Sequence, residues 1–458
     1  MQQSRSRQSR NELTHPSAPI SGNTLMNLKL VLESVVGDGE VRDLDLAMLL
    51  NVPVNRLGRL KKAGAPAGAA ETPEPDDEQD DAAAATIRPN QAILVRLLLK
   101  HPEYAPLTMR PGNAEMFELI APLMPGTGSN GKMAGKQGYA PLFGRSYVSS
   151  YKMLAEAEST SLPVVRLQLL IVGRLGEMFR ELCLKKVQQA AKKVPDYVLQ
   201  SLKHDAGWQL LRARDSLTDW MPDVVFEEFS AELLSQWRTW FNECYMTVLR
   251  DEALSRDLDP DKVLLKGNWT NRKNVEPADL QNYGRATQPI LGCEDSLFSI
   301  FRESFGLTSA EAFWALGLQV KAFYRFRQRA RQRIDAPSAL LVRYLFRYPD
   351  DIRHIIPAPP SGESILQTIQ QDDPAFRTSQ LGPMFGASRV MSYEFAADQH
   401  SSPFFARRLA TIYAEQKRRG QPIYSQLREC VEDELKARGL DSREFWRDGR
   451  WNPSVSCN

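Results

Sequence analysis

The sequence predicts an all-α fold made of tandem-duplicated helical modules, and three observations carry that expectation. Apolar residues recur at spacings of three and four, as in Leu167, Leu170, Ile171, Leu175, Phe179 and Leu182, which lays an apolar stripe along a helix. Runs of β-branched residues alternating at every second position are scarce. Finally, residues 140–151 read A-P-L-F-G-R-S-Y-V-S-S-Y and residues 382–393 read G-P-M-F-G-A-S-R-V-M-S-Y, identical at seven of twelve positions without a gap. Self-similarity of this kind marks repeated structural units and governs how the rest of the chain is read.

The repeat extends outward in both directions. Val41 to Lys61 aligns without a gap to Leu307 to Arg327, with Leu50/Leu316, Val54/Val320 and Arg59/Arg325 identical and the apolar pattern shared. Ile93 to Pro102 matches Leu340 to Pro349, and each copy closes alike, at Leu258 to Trp269 and Leu440 to Trp451. The expected organisation follows. Residues 1–22 form a polar, Ser- and Arg-rich disordered tail, and 23–62 a first helix-turn-helix-like unit. Residues 63–87 read as an acidic Ala/Pro linker and 88–274 as the helical module of copy 1. Residues 275–290 are a connector, 291–335 a second helix-turn-helix-like unit with a basic helix, and 336–458 the module of copy 2. Copy 1 carries extra helix over roughly 195–245. The tryptophans of the closing motif, Trp269 and Trp451, are expected to anchor each module's end on its own core.

Composition excludes several classes. The longest apolar stretch, Val164 to Val172, is interrupted by Arg166 and Gln168, so no membrane span is expected. The start, M-Q-Q-S-R-S-R-Q-S-R, lacks the apolar core of a secretory signal. Five scattered cysteines form no disulfide framework, and together these features point to the cytoplasm. The five histidines stand far apart, so no metal site is expected. Gly126-x-x-x-x-Gly131-Lys132 has the spacing of a phosphate loop, but Met133 stands where a Ser or Thr would hold magnesium. With no G-x-S-x-G elbow either, the chain is read as a non-enzyme without cofactor or catalytic residues. The net charge of +2 hides segregation: residues 71–81 hold seven acids and no base, residues 319–334 six bases and no acid. A basic stripe interleaved with aromatics fits a polyanion.

The F-G-x-S strings suggest a helix-turn-helix near 138–155 and another near 378–396. Gly144 and Gly386 make the turn, Ser146 and Ser388 cap the second helix, and Val148/Val390 and Tyr151/Tyr393 face the core. Outward positions are then Arg145, Tyr147, Ser149, Ser150 and Lys152 in copy 1, and Arg389, Met391 and Ser392 in copy 2. A second pair of candidates lies upstream. Thr308 or Ser309 caps a helix, Leu316-Gly317-Leu318 turns, and the following helix presents Gln319, Lys321, Tyr324 and Arg325. Its N-terminal counterpart offers Asn55, Arg56, Arg59 and Lys61.

These strings, each about twenty residues, resemble helix-turn-helix segments of bacterial, phage and plasmid regulators. The resemblance implies a second helix in the major groove of double-stranded DNA, with arginine and lysine on phosphates and base edges. The expected DNA-binding set is Arg56, Arg59, Arg145, Ser146, Tyr147, Ser149, Lys152, Gln319, Lys321, Arg325, Ser388, Arg389 and Ser392. A transcriptional regulator reading two non-identical half-sites is the function expected, with RNA polymerase or a regulatory protein as a further partner. The alternatives are a helical protein–protein scaffold and a plasmid replication or partition factor.

Overall fold

The computed structural model describes residues 19–36, 41–62, 87–107, 110–124, 135–156, 160–190, 193–269, 297–318, 334–399 and 402–451. Every regular element among them is helical, in line with the sequence periodicity. The front of the first repeat holds α1 (Gly22–Val36), α2 (Asp43–Leu50), α3 (Val54–Lys62) and α4 (Pro89–Lys100). Its back holds α5 (Asn113–Ile120), α6 (Tyr147–Leu154), the long α7 (Leu162–Gln189), α8 (Asp196–His204), α9 (Gly207–Arg212) and α10 (Arg214–Thr218). There follow α11 (Asp223–Trp240), a π-turn over Phe241–Tyr245, α12 (Met246–Ser255) and α13 (Pro260–Lys266). The second front comprises α14 (Leu297–Ser304), α15 (Ser309–Leu316) and α16 (Ala336–Arg347). The second back comprises α17 (Gly362–Asp372), α18 (Leu381–Met384), α19 (Met391–Ala397), α20 (Arg407–Arg418), α21 (Ile423–Ala437) and α22 (Ser442–Asp448).

Local signals set many boundaries. Prolines stand in the first turn of α4, α7, α13 and α16, where a missing N–H costs nothing. Side chains of Asp259, Asp335, Ser361 and Asp441 accept backbone N–H groups at the starts of α13, α16, α17 and α22.

The chain forms two compact units, and each mixes the two sequence repeats. Residues 1–107 join 357–458, with Thr308–Glu311 at the start of α15 counted here, and the remainder (108–307 and 312–356) forms the other. The first unit thus closes the front of repeat 1 on the back of repeat 2, and the second unit closes the reverse pair.

In the first unit α4 packs on α21 and α20, and α1 packs on α3 and α4, around Leu28, Leu46, Ile93, Phe385 and Tyr413. In the second unit α16, the counterpart of α4 in the sequence alignment, packs on α12 and α7. The first half of α7 is buried on nearly all sides, as a helix at the centre of a core must be. Residues that the alignment equates make the same bonds in both units. Arg96 donates to Glu434 at 2.8 Å, and Arg343 donates to Glu252 at 2.9 and 3.0 Å. Arg438 then bridges Glu434 to the Ile87 carbonyl, and Arg256 bridges Glu252 to the Ile334 carbonyl.

Candidate nucleic-acid interface

Two short helices with a tight turn between them lie in the front of repeat 1. Asp43 and Asp45 begin α2, where acids favour a helix N-terminus, and the Asp45 carboxylate accepts the Arg42 N–H at 2.8 Å. Asn51 ends α2 in the left-handed region, at φ 50°, a conformation asparagine tolerates better than most residues. Its side-chain amide donates to the Phe404 carbonyl at 2.9 Å, which anchors the turn within the first unit. Val52 and Pro53 complete the turn, and Pro53 starts α3 by accepting the Leu57 N–H.

The α3 helix has two distinct sides. Leu57 and Leu60 are buried, while Asn55, Arg59 and Lys62 are exposed. Lys61 is paired with Asp43, so it supports the α2–α3 packing rather than facing outward alone. Arg56 is half-buried and its Nε is shielded from solvent without an acceptor. Burial and the neighbouring Arg88 guanidinium both push its pKa below the usual value, the mark of two cations held close together. Arg88 precedes the first turn of α4 and is exposed. Nothing in the sequence singled it out, because its nearness to Arg56 arises only through folding.

The front of repeat 2 begins in the same manner. The Thr308 hydroxyl accepts the Glu311 N–H at 3.2 Å and the Glu311 carboxylate accepts the Thr308 N–H at 2.9 Å, a reciprocal cap on α15. Gly317 then turns the chain at φ 63°. The expected contact residues Gln319, Lys321 and Arg325 lie outside the described residues, as does the glycine-rich loop ending at Lys132.

The F-G-x-S strings depart from expectation. The element before each glycine is one turn long, Ala140–Phe143 or α18, too short for the first helix of a helix-turn-helix. The faces of the second helix are reversed. Val148, Tyr151, Val390 and Tyr393, expected in the core, are exposed, and Ser150 and Ser392, expected outward, are fully buried. The cause is polar satisfaction. The Ser150 hydroxyl accepts the Ala140 N–H and donates to the Gln137 carbonyl, both at 2.9 Å. The Ser392 hydroxyl accepts the Gly382 N–H at 2.8 Å and donates to the Ser379 carbonyl at 3.0 Å. With about 100° between successive helical residues, a serine turned inward sends the valine two positions earlier to the opposite face. Ser392 is therefore a structural residue and leaves the expected DNA-binding set.

Neither expected serine cap forms. Ser146 precedes α6 but its hydroxyl meets the Ser149 hydroxyl at 3.0 Å, and α19 starts at Met391, beyond Ser388. The remaining residues of the set are placed as follows. Arg145, Ser146, Tyr147, Lys152, Ser388 and Arg389 are exposed, and Ser149 is half-buried. Arg389 donates to the Arg447 carbonyl at 3.1 Å, and its backbone N–H donates to the Gly449 carbonyl at 3.2 Å.

Two glycine positions explain the strings better than groove reading does. Gly144 and Gly386 adopt φ 74° and 78°, and a Cβ on Gly144 would stand 2.7 Å from the Pro337 nitrogen. At Gly386 the same atom would run into the Asn90 nitrogen. Pro337 and Asn90 are equivalent residues in the first turns of α16 and α4. The glycine thus lets the back of one repeat approach the front of the other. The closing motif packs nearby: a Cβ on Gly267 would meet the Arg145 carbonyl at 2.6 Å, and Trp269 and Trp451 are buried.

No group of three or more His, Cys, Asp or Glu able to hold a metal ion occurs among the described residues, and none of their helices is long and apolar enough to cross a membrane. No family model, curated protein or solved structure matches the chain.

Proposed function

We propose that this chain is a sequence-specific double-stranded DNA-binding protein, a transcriptional regulator that reads DNA with α3. The observation that supports the reading best is the α2–turn–α3 arrangement with its two-sided second helix. Leu57 and Leu60 hold α3 to its unit, and Asn55, Arg59 and Lys62 remain exposed. Asparagine suits adenine and arginine suits guanine in the major groove, while lysine on a helix flank suits phosphate. Arg56 within that helix and Arg88 beside it add positive charge, and crowded cations gain most from a polyanion.

Residues 320–328 align with α3 in sequence, with Val54/Val320 and Arg59/Arg325 identical and the other residues different. In this proposal the two copies read non-identical half-sites from one polypeptide. The test is a salt-titrated binding measurement on the full chain, coupled to selection of bound duplexes from random sequence. An enriched motif, with affinity falling steeply as salt rises, supports the reading. Salt-independent binding, or no enrichment, overturns it.

A second reading, contact with protein, is favoured by one observation: the exposed Val and Tyr pairs in α6 and at the start of α19.

A further inference from the structure

Seven positions are identical between the two F-G-x-S strings, and folding accounts for four of them. Pro141/Pro383 and Phe143/Phe385 are buried, Gly144/Gly386 permit the close approach, and Ser150/Ser392 close two backbone bonds each. The other three, Ser146/Ser388, Val148/Val390 and Tyr151/Tyr393, are exposed in both copies. Val148 is 50% and Val390 73% exposed, and Tyr151 and Tyr393 are 57% and 56% exposed. A single exposed apolar side chain needs no explanation. The same exposed Val–Tyr pair in two otherwise diverged segments, within α6 and at the start of α19, does, since neither core stability nor solubility favours it.

The charges around the pair have diverged. Tyr147 is replaced by Arg389, and at the position after the tyrosine Lys152 is replaced by Glu394, both exposed. A common DNA contact would call for positive charge on both helices, and Glu394 opposes that. Opposite charges beside a shared apolar pair are instead complementary to each other. We propose that α6 of one molecule packs against α19 of a second copy of this chain. Val148 and Tyr151 are then covered by Val390 and Tyr393 of the other molecule, with Lys152 and Glu394 as opposite charges at the rim. Each chain carries one face of each kind, so the contact is heterologous and can be repeated from one molecule to the next.

Sedimentation velocity of the full chain over a concentration series tests this, with a charge swap as the discriminating readout. The unaltered chain is expected to self-associate. Val148→Asp combined with Tyr151→Ser should weaken association by about tenfold or more, as for loss of a central apolar anchor. Lys152→Glu and Glu394→Lys should each weaken it by about two- to fivefold, the scale of an exposed ion pair, and the double swap should restore it. Circular dichroism confirms that each variant is folded, and the surface charge variants carry the test if the apolar variant is not. A monomer at every concentration overturns the proposal, as does association that these variants leave unchanged. A double swap no better than the single changes overturns it too. Loss of DNA binding by the Val148/Tyr151 variant without a change in association assigns the face to nucleic acid and overturns it as well.

Discussion

Arg343 and Glu252 are joined across 91 residues of chain, the Arg343 Nε and Nη2 both donating to the carboxylate Oε2 at 3.0 and 2.9 Å. The other carboxylate oxygen accepts from Arg256 Nε at 2.6 Å, and all three side chains are buried. Arg343 comes from the second repeat and the other two from the first, so this cluster ties two repeats into one unit. Glu434 is held the same way by Arg96 and Arg438 in the other unit.

Removing the carboxylate should therefore be costly. Glu252→Gln removes the negative charge to which two buried guanidinium groups donate and is expected to destabilise the second unit by about 3–5 kcal/mol. Glu434→Gln should cost the first unit less, because Arg438 is partly exposed. Urea titrations of both variants measure the difference.

Glycine at the F-G-x-S turn is expected to be needed for its missing side chain as well as its backbone. Gly420 also has positive φ, at 75°, but a Cβ there would meet nothing within 4 Å. Gly420→Ala should cost about 1–2 kcal/mol from the left-handed conformation alone. Gly144→Ala and Gly386→Ala should cost clearly more, because the added carbon meets backbone at Pro337 and Asn90. Equal losses in thermal melts of all three would refute the close-approach argument.

Acid should weaken the second unit through Glu177. Burial opposes its ionisation, but the His354 ring 3.5 Å away and the charge and hydrogen bond of Arg353 outweigh burial and hold its pKa at about 2, below the usual 4.5. A carboxyl depressed in the folded state adds stability above its unfolded value, and that stability is lost as pH falls from 4.5 towards 2. Glu177→Gln should be less stable than the unaltered chain at neutral pH, and the two should converge across that window.

Thiol labelling should be selective. Burial pushes both Cys183 and Cys430 up to about 12, so neither supplies thiolate at mild pH. Among the described cysteines, Cys244 is half-buried and should be alkylated before the other two. Peptide mass mapping after brief treatment at pH 8 reads the order, and faster modification of Cys183 would contradict it.

In the DNA-binding proposal, Arg59 and Arg56 should behave differently. Arg59→Ala is expected to relax the selected motif at one base position, a loss of about 1–3 kcal/mol in discrimination. Arg56→Gln should weaken all sequences alike and reduce the salt slope by about one. A variant pair with identical selection profiles would show that α3 does not read bases.

Helix class, many helix ends and the repeat itself were legible in the sequence, because apolar spacing, prolines and capping acids act over a few residues. The helical character of the stretch ending at Lys62, and a cap at Thr308 or Ser309, were legible for the same reason. The inward face of α6 and α19 was not. A short helix with Val, Ser and Tyr on different sides has no strong apolar stripe, so the backbone bonds of Ser150 and Ser392, set by tertiary packing, decide its rotation.

The choice of partner between repeats lay further out of reach. Asp251-Glu252 with Arg256, and Asp433-Glu434 with Arg438, carry the same D-E-x-x-x-R string. Local sequence alone therefore offers Arg96 and Arg343 two equivalent carboxylates. The sequence by itself determined an all-helical chain built from two related halves. Only the tertiary structure decided that the front of each half closes on the back of the other. Equivalent local motifs are equal in local energy, and only the packing of the whole chain breaks the tie.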